Sequence, residues 1–123
     1  MLAFYHFNFN VADMERSIAF YKEHFNLNVV KDNTASDGSF RIVFLKDAEG
    51  TPFSLELTWL RDHPEAYDLG EQEFHLAFIT DEYDAIHQKH SDAGIICFEN
   101  PKMGIYFVED PDGYWVEIVP SKK

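Results

Sequence analysis

Residues 108–118 read VEDPDGYWVEI, and residues 45–57, LKDAEGTPFSLEL, are similar to them once two residues are gapped. Each stretch predicts a hairpin, with an apolar strand, an acidic turn that contains a glycine, and a second strand with a glutamate among alternating apolar residues. These glutamates are Glu56 and Glu117. Two such hairpins with matching turns and glutamates indicate that the chain contains a repeated module.

The residues before the first hairpin predict a strand, a helix and a further strand. Residues 4–11 alternate apolar and polar side chains, as in a strand with one buried face. Asp13 is the predicted N-cap of a helix whose apolar residues recur at helical spacing as far as Phe25. Three strands follow, near residues 27–32, 40–46 and 53–59.

The second half of the chain predicts the same order of elements. Residues 74–80 form a predicted strand, Asp81 is expected to cap the following helix, and Gly94 is expected to close it. Three strands follow, near residues 95–99, 104–109 and 114–119. The sequence therefore predicts an α+β fold of two βαβββ modules, at about residues 1–59 and 74–123, joined by a polar linker at 60–73 within one domain.

Length, composition and charge exclude several classes of protein. With 123 residues and 46% hydrophobic residues the chain can bury a core without disulfides. A net charge of -12 argues against nucleic acid, which needs clustered Lys and Arg. No apolar run reaches the roughly 20 residues that span a bilayer, and the first residues resemble a strand rather than a signal peptide. We expect a cytoplasmic protein in which Cys97 fills the core.

Four potential metal ligands occupy equivalent places in the two modules: His6, Glu56, His75 and Glu117. Each histidine lies near the start of the first strand of its module, and each glutamate lies in the last strand. A carboxylate in the middle of an apolar strand is costly unless something pairs with it. Two four-stranded halves are expected to curl around a cavity, and this donor set suits Zn, Ni, Co, Mn or Fe with open positions for substrate.

The remaining histidines are weaker candidates. His87 and His90 are three residues apart on the second predicted helix, a spacing that could hold a metal. His90, however, lies on the apolar face of that helix, which favours packing under the sheet. His24 and His63 are expected to be solvated.

The segments HFNFNVADMERSIAFYKEHFNL (6–27), LELT (55–58), FHLAF (74–78) and FVEDPDGYWVEI (107–118) resemble those of the glyoxalase I (lactoylglutathione lyase) family of the vicinal oxygen chelate superfamily. The resemblance covers nearly the whole chain. The family's His, Glu, His, Glu set of metal ligands falls on His6, Glu56, His75 and Glu117. Glu56 within LELT is more discriminating than the FVEDPDGYxxEI signature, which many members share, since extradiol dioxygenases of the superfamily use two His and one Glu.

The resemblance implies a fold, an assembly and a reaction. The chain would form a homodimer with an active site at each interface, built from the first pair of ligands of one chain and the second pair of the other. The metal would be divalent, with Ni or Co favoured and Zn possible. The reaction would isomerise the hemithioacetal of methylglyoxal and a thiol into a 2-hydroxyacyl thioester, with Glu117 as the leading candidate base and Glu56 across from it.

The sequence departs from the family at positions that contact substrate. Glutathione-using members have an Arg on the first strand and an Asn soon after the first Glu, where this chain has Asn10 and Leu60. Arg and Asn differ greatly as anchors for a carboxylate, so the identity of the thiol cosubstrate stays open. Candidate substrate-contacting residues are Asn10, Leu60, Arg61, Lys102 and Trp115.

Two other functions remain compatible with this sequence. One is another metalloenzyme of the same superfamily, such as a dioxygenase, an epimerase or a thiol transferase. The other is a non-catalytic protein that binds an aromatic or cationic drug, which would suit the 16% aromatic residues and the acidic charge. Intact metal ligands argue against a pure binder, because such a protein has no use for them.

Overall fold

The structure is a computed structural model that describes residues 1–121. The chain divides into two compact units, one from Met1 to Tyr67 and one from Asp68 onward. Lys122 and Lys123, the end of the predicted second module, lie outside the described residues. Within the described part of the chain, no helix has the length and apolar character needed to cross a membrane.

Both units contain the predicted order of strand, helix and three strands. The first unit has β1 (His6–Asn10), α1 (Met14–Phe25), β2 (Asn28–Thr34), β3 (Phe40–Lys46) and β4 (Ser54–Leu60). The second has β5 (Leu76–Thr80), α2 (Tyr83–Asp92), β6 (Ile96–Asn100), β7 (Ile105–Glu109) and β8 (Trp115–Pro120). β4 extends one residue beyond the predicted end of the first module, since Leu60 still pairs with Phe40 on β3.

Each unit forms one four-stranded mixed sheet with the same topology. The strand orders are β1-β4-β3-β2 and β5-β8-β7-β6. The first strand of each unit runs parallel to the last, which is reached after the helix and two intervening strands. The other neighbours pair antiparallel. This arrangement confirms the predicted α+β fold of two βαβββ modules.

The helix of each unit covers the face of the sheet opposite the glutamate. In the first unit α1 contacts β4, and Leu55 and Leu57 on β4 are buried together with Phe9 and Tyr21. Because successive side chains of a strand point to opposite faces, Glu56 between the two leucines points away from this core. Val116 and Ile118 are buried on either side of Glu117 in the same way.

The two hairpin turns are built identically around an aspartate. Asp47 Oδ1 accepts hydrogen bonds from the backbone N–H groups of Glu49 and Thr51 at 3.0 and 3.3 Å. Asp110 Oδ1 accepts them from Asp112 and Tyr114 at 2.8 and 3.0 Å. These bonds confirm that the two aspartates form the turns, as Asx side chains commonly do.

The helix ends agree with the sequence except at the start of α2. Asp13 caps α1, accepting a hydrogen bond from the Arg16 backbone N–H at 3.1 Å. The prediction that Asp81 caps α2 is wrong, because Glu82 precedes the helix and makes no capping hydrogen bond with its side chain. The Thr80 hydroxyl instead accepts the Glu82 backbone N–H at 3.0 Å. This turn delays the helix by one residue.

A bulge interrupts the pairing of one edge strand in each sheet, at the same place in the two units. β2 shifts register between Val29 and Lys31, and β6 shifts between Ile96 and Phe98. Cys97 is therefore the extra residue of the second bulge, half-buried, with its thiol donating to the Phe107 carbonyl oxygen at 3.5 Å. Burial raises the pKa of this thiol, which fits the predicted packing role better than a nucleophilic one.

Candidate metal centre

The first predicted pair of ligands meets on the exposed face of the first sheet. The parallel register sets Asn8 opposite Glu56 and His6 opposite Ser54, so that all four share one face. His6 Nε2 lies 3.2 Å from Glu56 Oε1. The glutamate side chain is 16% exposed and the histidine side chain 30% exposed, so both remain accessible to a ligand.

The second pair repeats this geometry in the second unit. His75 precedes β5 and Glu117 lies in β8, and His75 Nε2 is 2.9 Å from Glu117 Oε1. The glutamate side chain is again 16% exposed, and the histidine side chain is 40% exposed. Asn8 lies opposite Glu56 in the first sheet, and Ala77 lies at the equivalent position opposite Glu117 in the second.

A phenylalanine that was not among the predicted site residues supports each pair. The His6 ring stands edge-on to Phe44, with ring centroids 5.2 Å apart and an interplanar angle of 79°. The His75 ring meets Phe107 in the same way, at 5.0 Å and 83°. Phe44 pairs with Glu56 and Phe107 pairs with Glu117 in the strand registers. A comparison of the two halves of the sequence could have identified both residues, because Phe44 and Phe107 each lie three residues before the turn aspartate.

The donor atoms of each pair suit a divalent ion. Imidazole nitrogens and carboxylate oxygens bind such ions at about 2.0–2.2 Å, so two ligands at right angles around one ion lie roughly 3 Å apart. The separations of 3.2 and 2.9 Å match this spacing. Within residues 1–121, no three His, Cys, Asp or Glu side chains gather into a group that could hold an ion. Each unit therefore brings together two of the four predicted ligands.

The predicted substrate-contacting residues of the first unit differ in their availability. Asn10 ends β1 on the ligand face, where it pairs with Thr58. Leu60 ends β4 and is half-buried. Arg61 is exposed and donates to the Asp62 carboxylate at 3.0 and 3.2 Å and to the Asp37 carbonyl oxygen at 3.0 Å. Arg61 thus already donates to three oxygen acceptors from two residues.

The second unit presents an aromatic surface beside its ligands. Trp115 lies on β8 and stacks on Phe98, with ring centroids 6.1 Å apart, and tilts against Phe107 at 5.3 Å. Its backbone N–H donates to Gln72 Oε1 at 2.7 Å. Lys102, the other candidate of this unit, is exposed in the turn between β6 and β7.

The other histidines of the second helix are occupied by different partners. His90 is fully buried, and its Nδ1 lies 2.9 Å from the Tyr106 hydroxyl, which confirms its predicted packing role. His87 Nε2 lies 2.8 Å from Glu99 Oε1. A pocket of about 490 Å³ opens at the start of α2, lined by residues 80–85 and by Pro120 and Ser121. None of the predicted ligands lines this pocket.

Comparison with known proteins defines the family. A sequence model of the Glyoxalase/Bleomycin resistance protein/Dioxygenase superfamily matches residues 3–118. The chain therefore belongs to this superfamily, as its paired βαβββ sheets also indicate. The lactoylglutathione lyase of Neisseria meningitidis is 32% identical over 124 residues, which cover 95% of this chain and 89% of that protein. The predicted resemblance to the glyoxalase I family is confirmed.

Solved structures give the same result. The glyoxalase I of Leishmania major, described as trypanothione-dependent, matches with a TM-score of 0.86 and 25% identity over 98% of this chain and 87% of that chain. The glyoxalase I of Zea mays matches with a TM-score of 0.82 and 28% identity over 94% of this chain. The match covers 43% of the maize chain, so this chain spans less than half of that protein.

Proposed function

We propose that this protein is a metal-dependent isomerase of the glyoxalase I type. Its substrate would be the hemithioacetal of a 2-oxoaldehyde such as methylglyoxal, and its product a 2-hydroxyacyl thioester. The observation that carries the proposal is the repeated His–Glu pair, with donor atoms 3.2 Å apart in one unit and 2.9 Å apart in the other. The names of the relatives at about 30% identity support the same reaction.

The proposed site holds one divalent ion between two copies of the chain. His6 and Glu56 of one copy and His75 and Glu117 of the other would supply the four ligands, and a homodimer would carry two such sites. Bound there, the ion would stabilise negative charge on the two adjacent substrate oxygens and acidify the neighbouring C–H bond. We favour Ni or Co over Zn. We also retain the predicted cytoplasmic location as part of the proposal.

Glu117 is the proposed base. It would take the proton from the carbon bonded to sulfur, leaving an enediolate, and return the proton to the adjacent carbon. Its strand neighbours on the ligand face are Ala77 and Phe107, so apart from His75 its close surroundings are apolar. Glu56 has a polar neighbour, Asn8, at the position equivalent to Ala77. This difference favours Glu117 as the mobile proton carrier and Glu56 as the fixed ligand.

The proposed thiol is bound without the arginine that glutathione-using members of the family have on the first strand. Asn10 replaces the family's arginine, Arg61 is already bound to Asp62 and Asp37, and the net charge is -12. A surface of this charge slows the approach of anionic ligands. A related structure described as trypanothione-dependent supports the view that the thiol varies within this fold.

The test is turnover by metal-stripped protein after Ni, Co or Zn is added in turn, with the methylglyoxal–glutathione hemithioacetal as substrate. We expect metal-dependent thioester formation by the wild type, and its loss in His75→Ala. The matched control is His87→Ala, which breaks a His–Glu pair of similar length, 2.8 Å, between His87 on α2 and Glu99 on β6. The control should keep full activity.

Two outcomes would change the proposal. Turnover that survives both metal removal and His75→Ala would contradict a metal centre at these residues. Tight, stoichiometric metal binding without turnover would keep the site and discard glutathione, and the same assay would then be repeated with other thiols.

A further inference from the structure

The ligand face of the first sheet carries a row of polar side chains that the second sheet lacks. Asn8, Asn10 and Thr58 surround Glu56 in the β1–β4 register. Ala77, Ile79 and Val119 occupy the equivalent positions around Glu117. The two halves of the ligand set therefore have the same ligands but different neighbours, and the asymmetry is concentrated next to Glu56.

The Asn8 side chain lies within hydrogen-bond distance of Glu56 itself. One amide orientation accepts from the Thr58 hydroxyl at 2.6 Å and donates to Asn10 Oδ1 at 2.7 Å. It also sets a carbonyl oxygen 3.1 Å from Glu56 Oε1, and two acceptors at that distance repel. The opposite orientation donates from Asn8 Nδ2 to Glu56 Oε1 at 3.1 Å and to Thr58 Oγ1 at 2.6 Å. We assign the second orientation on this ground.

The second orientation uses the amide fully. The NH2 group carries two protons, so one can be directed to the carboxylate and the other to the Thr58 hydroxyl. The Asn8 carbonyl oxygen then lies 2.7 Å from Asn10 Oδ1, so the Asn10 amide is assigned the opposite orientation as well, in which its NH2 group donates to Asn8. Thr58 lies on the same strand as Glu56, two residues further along. The strand that carries Glu56 therefore also fixes the Asn8 amide, which in turn bonds the Glu56 carboxylate.

We propose that Asn8 is a positioning residue that holds the Glu56 carboxylate in the orientation required to bind the metal ion, with Thr58 fixing Asn8 in turn. The inference rests on the proposed function, because it takes Glu56 as a metal ligand. A hydrogen bond to Glu56 Oε1, the oxygen that lies 3.2 Å from His6 Nε2, limits rotation of the carboxylate and leaves the second lone pair of Oε1 and both lone pairs of Oε2 available to an ion. Groups that orient metal ligands in this way change metal affinity or activity about 10- to 100-fold when they are removed.

The test measures metal binding directly, with the full chain and Co²⁺ as the probe. Metal-stripped wild type, Asn8→Ala and Thr58→Val are titrated with Co²⁺ in competition with a chelator, and the visible absorption of the bound Co²⁺ is recorded. We expect Asn8→Ala to weaken Co²⁺ binding about 10- to 100-fold and to change the absorption spectrum. Thr58→Val should shift both in the same direction by a smaller amount.

The matched control is Asn33→Ala. Asn33 is an exposed asparagine on β2, which is separated from β4 by β3 in the same sheet. Its substitution should leave Co²⁺ affinity and spectrum unchanged. If Asn8→Ala binds Co²⁺ as tightly as the wild type with the same spectrum, the role of Asn8 is overturned and the proposed function stands. If the wild type itself does not bind Co²⁺, the metal centre fails and this inference fails with it.

Discussion

Complementation between two variants tests whether the four proposed ligands are shared between two chains. One variant, His6→Ala with Glu56→Gln, loses the pair of the first unit. The other, His75→Ala with Glu117→Gln, loses the pair of the second unit. The pairs lie on separate sheets and their side chains are partly exposed, so each substitution should leave the other unit folded. Each variant alone should be inactive.

The expected recovery follows from the placement of the pairs. In a heterodimer of the two variants, one interface joins the two intact pairs and the other joins the two broken pairs. A purified heterodimer should therefore show about half of the wild-type turnover per milligram and half of its bound metal. An unsorted mixture, in which about half of the dimers are mixed, should show about one quarter. If each site took both pairs from one chain, both values would be zero.

The assay is co-expression of the two variants with different affinity tags, followed by sequential purification on both tags. Thioester formation and metal content are then measured on the same sample. The control is each variant expressed alone and carried through the same steps, which should give neither activity nor a full metal site. A heterodimer as inactive as its parents would refute the proposal that one site combines the two units of different chains.

Three further predictions concern single residues. Glu117→Gln should lower turnover by about 10²- to 10⁴-fold with an unchanged melting temperature, and activity close to wild type would remove Glu117 from the role of base. Arg41 donates hydrogen bonds to the Asp32 carboxylate at 3.1 and 2.7 Å and to Glu15 at 2.6 Å. Arg41→Gln removes these ion pairs and should lower the free energy of unfolding. The loss should be only about 1 kcal/mol, because both carboxylates are exposed to solvent that screens the charges. The hydrogen bond from Arg41 lowers the pKa of Asp32. The stabilisation by this ion pair should therefore be fully present above the ordinary carboxyl pKa and should be lost as the pH falls through the lowered pKa of Asp32. Urea denaturation of the wild type and Arg41→Gln at neutral and acidic pH measures the difference between their free energies of unfolding. A difference that is the same at both pH values would contradict a stabilising ion pair between Arg41 and Asp32. Cys97 in the folded protein should react with iodoacetamide at pH 7 at least about tenfold more slowly than in the urea-unfolded protein, because burial raises the pKa of its thiol. Equal rates in the folded and unfolded protein would show that the thiol is accessible.

The local elements of this fold could be predicted because their signals lie within a few residues. Alternation along β4 separates Glu56 from Leu55 and Leu57, and this period of two requires no knowledge of distant residues. The Asx turns at Asp47 and Asp110 depend on backbone groups two to four residues ahead. The start of α2 was predicted at the wrong residue because the Thr80 hydroxyl bonds the Glu82 backbone N–H, and such competition between neighbouring side chains is not visible in the pattern.

The sequence by itself determined the repeat, the order of the elements and the four candidate ligands, since each of these follows from local spacing or from comparison of the two halves. Only the tertiary structure decided which residues meet. The parallel pairing of β1 with β4 sets Asn8 against Glu56 and Thr58 across 48 and 50 positions of sequence, and the same pairing in the second unit sets Ala77 against Glu117. Strand register between distant segments is fixed by the buried face of the whole sheet. For that reason the matching pairs of candidate ligands could be predicted from the sequence, and their unequal neighbours could not.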